Sequence, residues 1–201
     1  MNRKKIINLL PILLIPIYLV VDLYTKMLVV NHLPYHRYVP VLGDFAGFTY
    51  IFNTGVAFGL FSKLNPLVKN IVFTIITFGA IGFVIYLMQK TYQGKRIYRH
   101  ACALILGGAL GNVCDRIFGY MLYGDISIAT GVNTGRTFKL FFGKVVDFVN
   151  IGFGYPHGKW RWPYFNVADA CITIGLVILI ILILFSKEKS SDTVNSEENA
   201  Q

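Results

Sequence analysis

The residues best placed to do chemistry are Asp147 and Asp169, in the stretch VVDFVNIGFGYPHGKWRWPYFNVADACIT over 145–173. Each has apolar neighbours, and the second opens a long apolar run. A charge at the edge of hydrocarbon is costly, so an acid there is a functional candidate by default. Two such acids brought together would share one proton, because like charges in close contact do not both ionise cheaply. A pair of this kind can hydrolyse a carbonyl compound. One carboxylate takes a proton from water, and the other hydrogen-bonds the carbonyl under attack. Whether the two can meet depends on the elements that carry them.

Composition sets those elements. The chain has 201 residues, 55% of them hydrophobic, and a mean hydropathy of +0.56. That is too apolar for an ordinary soluble domain and predicts an integral membrane protein. The net charge of +9 is clustered: Arg3, Lys4 and Lys5 precede the first apolar run, Lys90, Lys95, Arg96, Arg99 and His100 separate the second from the third, and Lys187 and Lys189 follow the fourth. Basic clusters at alternate ends of apolar runs are the positive-inside pattern, so the charge does not point to nucleic acid. Cys102, Cys114 and Cys171 all fall within apolar runs. Their odd number and embedding argue against a disulfide framework or a zinc site, and they read as packing residues.

Four transmembrane helices are predicted over about 6–30, 67–89, 101–123 and 167–186. The first begins like a secretory signal, but its apolar run is long and lacks a small-residue cleavage site, so it reads as uncleaved. Pro11 and Pro16 are expected to bend it. Both termini are then cytoplasmic, with outer segments at 31–66 and 124–166. The Ser- and Glu-rich tail over 187–201 is expected to be disordered. The fold class is an all-α membrane protein, one domain over 1–186, with a little outer β-structure. Val39, Val41, Phe48, Tyr50 and Phe52 alternate around Gly43 and Gly47, as short strands do. Residues 53–59 read as a tight turn, or alternatively as an edge that holds an extended peptide. Residues 124–144 read as a hairpin or long loop. Trp160, Trp162 and Tyr164 suit a membrane–water interface, where Lys159 and Arg161 could touch lipid phosphates. His157 is a lone loop histidine without a second metal ligand.

The spans carry further polar groups. Asp22 and Lys26 share a helix face, as an interfacial ion pair or as a support for the site. Gly107 and Gly111 form G-x-x-x-G, which lets another helix approach closely. Asn112, Asp115 and Arg116 lie on one face of the same helix, which must turn into the bundle or toward an aqueous cavity. Arg116 next to Asp115 suggests an internal ion pair, which would make Asp115 a poor proton-sharing acid. Asn166 and Asp169 share a face at the outer end of the fourth span. Topology alone sets Asp22, Asn53, Asn112, Asp115, Arg116, Asp147, Asn166 and Asp169 near the outer boundary.

The motifs NTGVAF (53–58), GGALGNVCDR (107–116), VVDF (145–148) and FNVADACITIG (165–175), with VDLYTK (21–26) before them, resemble lipoprotein signal peptidase, signal peptidase II. The resemblance implies a four-helix aspartic endopeptidase of the bacterial inner membrane, with a small outer β-cradle and its site at the periplasmic face. Such an enzyme removes signal peptides from diacylglyceryl-modified prolipoproteins, cutting just before the lipidated cysteine. The catalytic pair would be Asp147 and Asp169. Asn53, Gly55, Gly108, Asn112, Arg116 and Asn166 would bind substrate or brace the site, and Asp22, Lys26 and Asp115 would support it. The resemblance further implies no metal or organic cofactor, membrane phospholipid as surroundings, inhibition by cyclic peptides such as globomycin, and a monomer. The connection from Arg116 to Val145 is longer than is usual in the family, with an insertion over about 120–144. Asp125 lies within it, but Val-Val-Asp-Phe matches the motif and Tyr-Gly-Asp-Ile does not. From the residues alone, a small transporter is the rival from another class, since membrane-embedded Asp, Asn and Arg also serve ion relays. A polar-cored scaffold is a third option.

Overall fold

The computed structural model describes residues 3–53, 65–90, 96–124, 139–153 and 160–198, with side chains described from 10 to 185 among them. Along the chain run α1 (Arg3–His32), β1 (Tyr38–Leu42), β2 (Ala46–Asn53), α2 (Pro66–Lys90), α3 (Arg96–Tyr123), β3 (Val145–Phe153), β4 (Trp160–Arg161) and α4 (Val167–Glu198). Four helices are long and apolar enough to cross a membrane, over Leu10–His32, Pro66–Lys90, Arg96–Tyr123 and Val167–Phe185. Helix α1 continues through Pro11 and Pro16. Helix α4 runs on to Glu198, where composition predicted a disordered tail. Extending an existing helix costs far less than nucleating one, so a polar segment joined to a formed span can follow it.

Helix α3 is the centre of the bundle. In its spanning segment 61% of residues are buried, against 17%, 17% and 22% in α1, α2 and α4. Its Ala101, Cys102, Ile105, Leu106, Ala109 and Val113 pack with Ile81 and Val84 of α2 and Leu179 of α4. Gly108 and Gly111 permit the approach of α4 and α1. A Cβ at Gly108 would strike the carbonyl oxygen of Ala168, and one at Gly111 would strike the Asp22 carboxylate. The outward faces of α1, α2 and α4 stay apolar and exposed, through residues such as Leu13, Ile75 and Leu184. That is the surface a bilayer covers.

A four-stranded antiparallel sheet in the order β1-β2-β3-β4 lies where α1 and α3 end and α2 and α4 begin. The alternation read in the sequence becomes β1 and β2, which turn at Gly43 with φ +52°. Strand β3 pairs with β2 so that Asp147 lies opposite Ile51 and Val145 opposite Asn53. Val146 and Phe148 enter an apolar cluster with Val29, Tyr50 and Tyr123, which seats the sheet on the helix ends. Side chains alternate along a strand, so Asp147 faces the other way.

Candidate active site

Strand β3 and the first turn of α4 bring the predicted pair together at Asn166. The Asn166 side chain accepts a hydrogen bond from the Asp169 backbone N–H at 2.9 Å, and the Asn166 backbone N–H donates to Asp169 Oδ2 at 3.3 Å. This is a reciprocal N-terminal cap made with an aspartate at its third helical position. It fixes Asp169 where the helix dipole favours a negative charge. Asn166 Nδ2 also donates to Asp147 Oδ1 at 2.7 Å. One asparagine therefore binds both acids. Asn53 Nδ2 donates to Asp147 Oδ2 at 2.8 Å, and Asn112 Nδ2 donates to Asp169 Oδ1 at 2.8 Å.

All these partners are neutral amides. Among the described residues neither carboxylate has an ion-pair partner. Asp147 is 1% exposed, while Asp169 is half-buried. Burial, reinforced by the Asp169 charge, pushes the Asp147 carboxyl up to about 7, against the pull of its hydrogen bonds from Asn53 and Asn166. At that value the Asp147 carboxyl can hold or release a proton near neutrality, next to a second carboxylate, as acid–base chemistry requires. Asp169 also lines a cleft of about 440 Å³ walled by Trp160, Trp162, Tyr164 and Phe165 and by Thr173 of α4.

A second pair of acids lies beneath the first. Lys26 Nζ donates to Asp22 Oδ2 and to Asp115 Oδ2, both at 2.7 Å. All three side chains are fully buried. Asp22 Oδ1 accepts the Ala168 N–H at 2.8 Å, the second amide of α4. Asp115 accepts Tyr123 Oη at 2.7 Å and the Val146 N–H at 3.4 Å. The triad thus ties α1 to α3, to α4 and to β3. Lys26 also reaches Asn112 Oδ1 at 3.2 Å, which turns the Asn112 amide N–H toward Asp169.

Two expectations need correction. The cation that neutralises Asp115 is Lys26, not the adjacent Arg116. Arg116 points instead to α2, where Nη1 donates to Asn70 Oδ1 at 3.4 Å and the guanidinium lies 5.0 Å from the Phe73 ring centre. Successive helical residues point about 100° apart, so neighbours in sequence seldom share a partner. Arg161, expected at lipid phosphates, braces the sheet: Nη1 donates to Asn150 Oδ1 at 2.7 Å and Nη2 to the Asp44 carbonyl at 3.1 Å. Gly108 serves helix packing, as described above. Gly55, Asp125, His157, Lys159 and most of the 120–144 insertion lie outside the described residues. Sequence reasoning missed Asn70, which donates to the carbonyls of Phe141 at 2.9 Å and Gly143 at 2.7 Å. Its signal was a lone amide in an apolar span. It also missed Tyr123, which nothing local marks. Among the described residues no group of three His, Cys, Asp or Glu side chains is placed to hold a metal ion.

Known proteins resemble this chain in sequence and fold. The family model described as Signal peptidase (SPase) II matches residues 14–185. The lipoprotein signal peptidase of Desulforapulum autotrophicum is 34% identical over 93% of this chain and 98% of its own. That of Borrelia turicatae is 33% identical over 95% and 98%, and that of Francisella tularensis subsp. novicida 36% identical over 84% and 88%. A solved structure described as a bacterial membrane enzyme, obtained by the in meso method at 1.9 Å resolution, superimposes with a TM-score of 0.61. It shares 27% identity over 87% of this chain and 92% of its own. With four membrane-spanning helices and a family match across nearly all of them, this chain belongs to the signal peptidase II family of membrane peptidases.

Proposed function

We propose that the chain is an aspartic endopeptidase whose catalytic pair is Asp147 and Asp169. It removes the signal peptide from diacylglyceryl-modified prolipoproteins, cutting just before the lipidated cysteine. The observation that carries this reading is the double grip of Asn166 on both carboxylates, neither of which has an ion-pair partner among the described residues. One aspartate, ionised, takes a proton from water as the water attacks the scissile carbonyl. The other, protonated, donates a hydrogen bond to the carbonyl oxygen. Collapse of the tetrahedral intermediate returns a proton to the leaving amine, and the pair is restored.

Asn53, Asn112 and Asn166 hold the pair in place through the hydrogen bonds above. The side of the membrane that carries the sheet is the periplasmic face of the bacterial inner membrane, with both termini in the cytoplasm. The aromatic wall at Asp169 faces the boundary where a lipidated cysteine arrives. The chain acts as a monomer and is inhibited by globomycin. The test is purified protein incubated with a diacylglyceryl-modified precursor, with cleavage followed by mass shift. Cleavage that requires the lipid and stops with globomycin is expected. Equal cleavage of an unlipidated precursor would remove the proposed substrate class.

A further inference from the structure

The end of α2 on the sheet side holds a second pocket, of about 380 Å³. It shares no lining residue with the cleft at Asp169. Its volume falls in the range of small-ligand sites, about 300–1,000 Å³. Lys69, Asn70, Tyr120, Phe142 and Lys144 are among its walls, and no carboxylate is.

Lys69 is the feature that needs explaining. It is 7% exposed, and its ammonium has no hydrogen bond or ion pair among the described residues. Its stem is buried, but its ammonium is not sealed from solvent, so it stands open to an anion in the pocket. Asn70 does not partner it, since its oxygen accepts from Arg116 and its nitrogen is bound to two carbonyls. Lys144 adds a second positive charge on the wall, its ammonium 5.0 Å from the Phe52 ring centre. The amino end of α2 adds a third contribution of the same sign. Asn65 caps it by accepting the Leu67 N–H at 2.9 Å, and the helix dipole there favours an anion.

We propose that this pocket binds a phosphate group, with Lys69 as its principal ligand and Lys144 as the second. Lysine ammoniums are compact point charges that suit phosphate. The pocket lies at the end of a spanning helix, the depth at which lipid phosphates sit. The ligand is therefore a phosphate ester such as an anionic phospholipid head group, or free phosphate.

The test uses the full chain purified in detergent and freed of lipid. Phosphatidylglycerol and inorganic phosphate are titrated separately, with binding read by native mass spectrometry and stability by thermal unfolding. The parent should bind at least one of them and melt at higher temperature when it is present. Lys69→Gln should weaken that binding about tenfold or more, while Lys69→Arg keeps most of it. Without ligand, Lys69→Gln should melt no lower than the parent, because it breaks no side-chain hydrogen bond or ion pair among the described residues. Lys144→Gln should weaken binding less. Binding of the lipid alone assigns the site to a head group, and displacement of the lipid by inorganic phosphate assigns it to the free ion. Binding of neither probe, or unchanged binding by folded Lys69→Gln, overturns the proposal.

Discussion

Asp147 with Asp169 and Asp22 with Asp115 are two pairs of acids in one small region, and their neighbours differ in one respect. Between Asp22 and Asp115 stands Lys26, at 2.7 Å from each. Between Asp147 and Asp169 stands Asn166, a neutral amide. A buried cation ties its acids down by direct ion pairs and fixes geometry, but it occupies the oxygens that proton exchange would use. An amide positions a carboxylate without setting its charge. The same residue type thus serves as strut in one pair and, on our reading, as reagent in the other.

The largest expected effect is on turnover. Asp147→Asn and Asp169→Asn should each lower cleavage of a lipidated precursor by roughly 10³-fold or more. Both proteins should still insert and melt cooperatively, because neither change strands a buried charge. Normal cleavage by either variant would break the assignment. Next in size is Lys26→Met, which leaves Asp22 and Asp115 buried with no counter-ion. It should cost roughly 3–5 kcal/mol of stability, read by thermal unfolding in detergent. A variant that melts like the parent would show that the lower pair is no strut.

The contrast between the pairs was only half legible in the sequence. The four spans followed from runs of apolar residues, whose lengths match a bilayer whatever their neighbours. Strands β1 and β2 followed from alternation around Gly43. Strand β3 has no such pattern: VVDFVNIGF is apolar on both faces, and a run like that does not tell strand from helix. Asp147 stood out as an acid in apolar surroundings, and the family motif favoured it over Asp125. What the sequence could not reveal was pairing across the fold. Lys26 and Asp115 are 89 positions apart, and the nearer Arg116 offered a false partner. Helix α3 brings Asp115 to α1 because Gly111 lets the Asp22 segment close in, and that depends on packing.

The pairs should also separate by pH. Burial raises the Asp147 carboxyl in the folded protein from 3.8 to about 7. Its protonated form is the one the fold prefers. Its contribution to stability is therefore full below about pH 4 and lost as pH rises through about 7. Asp147→Asn has no such proton, so its melting temperature relative to the parent should rise across that window. Cleavage by the parent should decline above pH 7, as the upper pair loses its shared proton. A flat difference in melting between pH 4 and 7 would count against the raised value.

The smallest effect sharpens the comparison most. Asn53 touches only the upper pair among the four acids, through its 2.8 Å bond to Asp147 Oδ2. Asn53→Ala removes a donor that favours the ionised carboxylate, and it leaves Lys26 and its acids alone. The cost in turnover should be roughly 10- to 100-fold, the worth of one hydrogen bond to a charged group. The direction of the pH shift matters more than the loss. Without that donor the Asp147 carboxyl rises further, so the alkaline decline in rate should move to higher pH. Asn53→Gln, if it restores the contact, should move it back. A variant with lower turnover and an unmoved pH profile would make Asn53 a spacer, and the upper pair would then owe its proton to burial and to Asp169 alone.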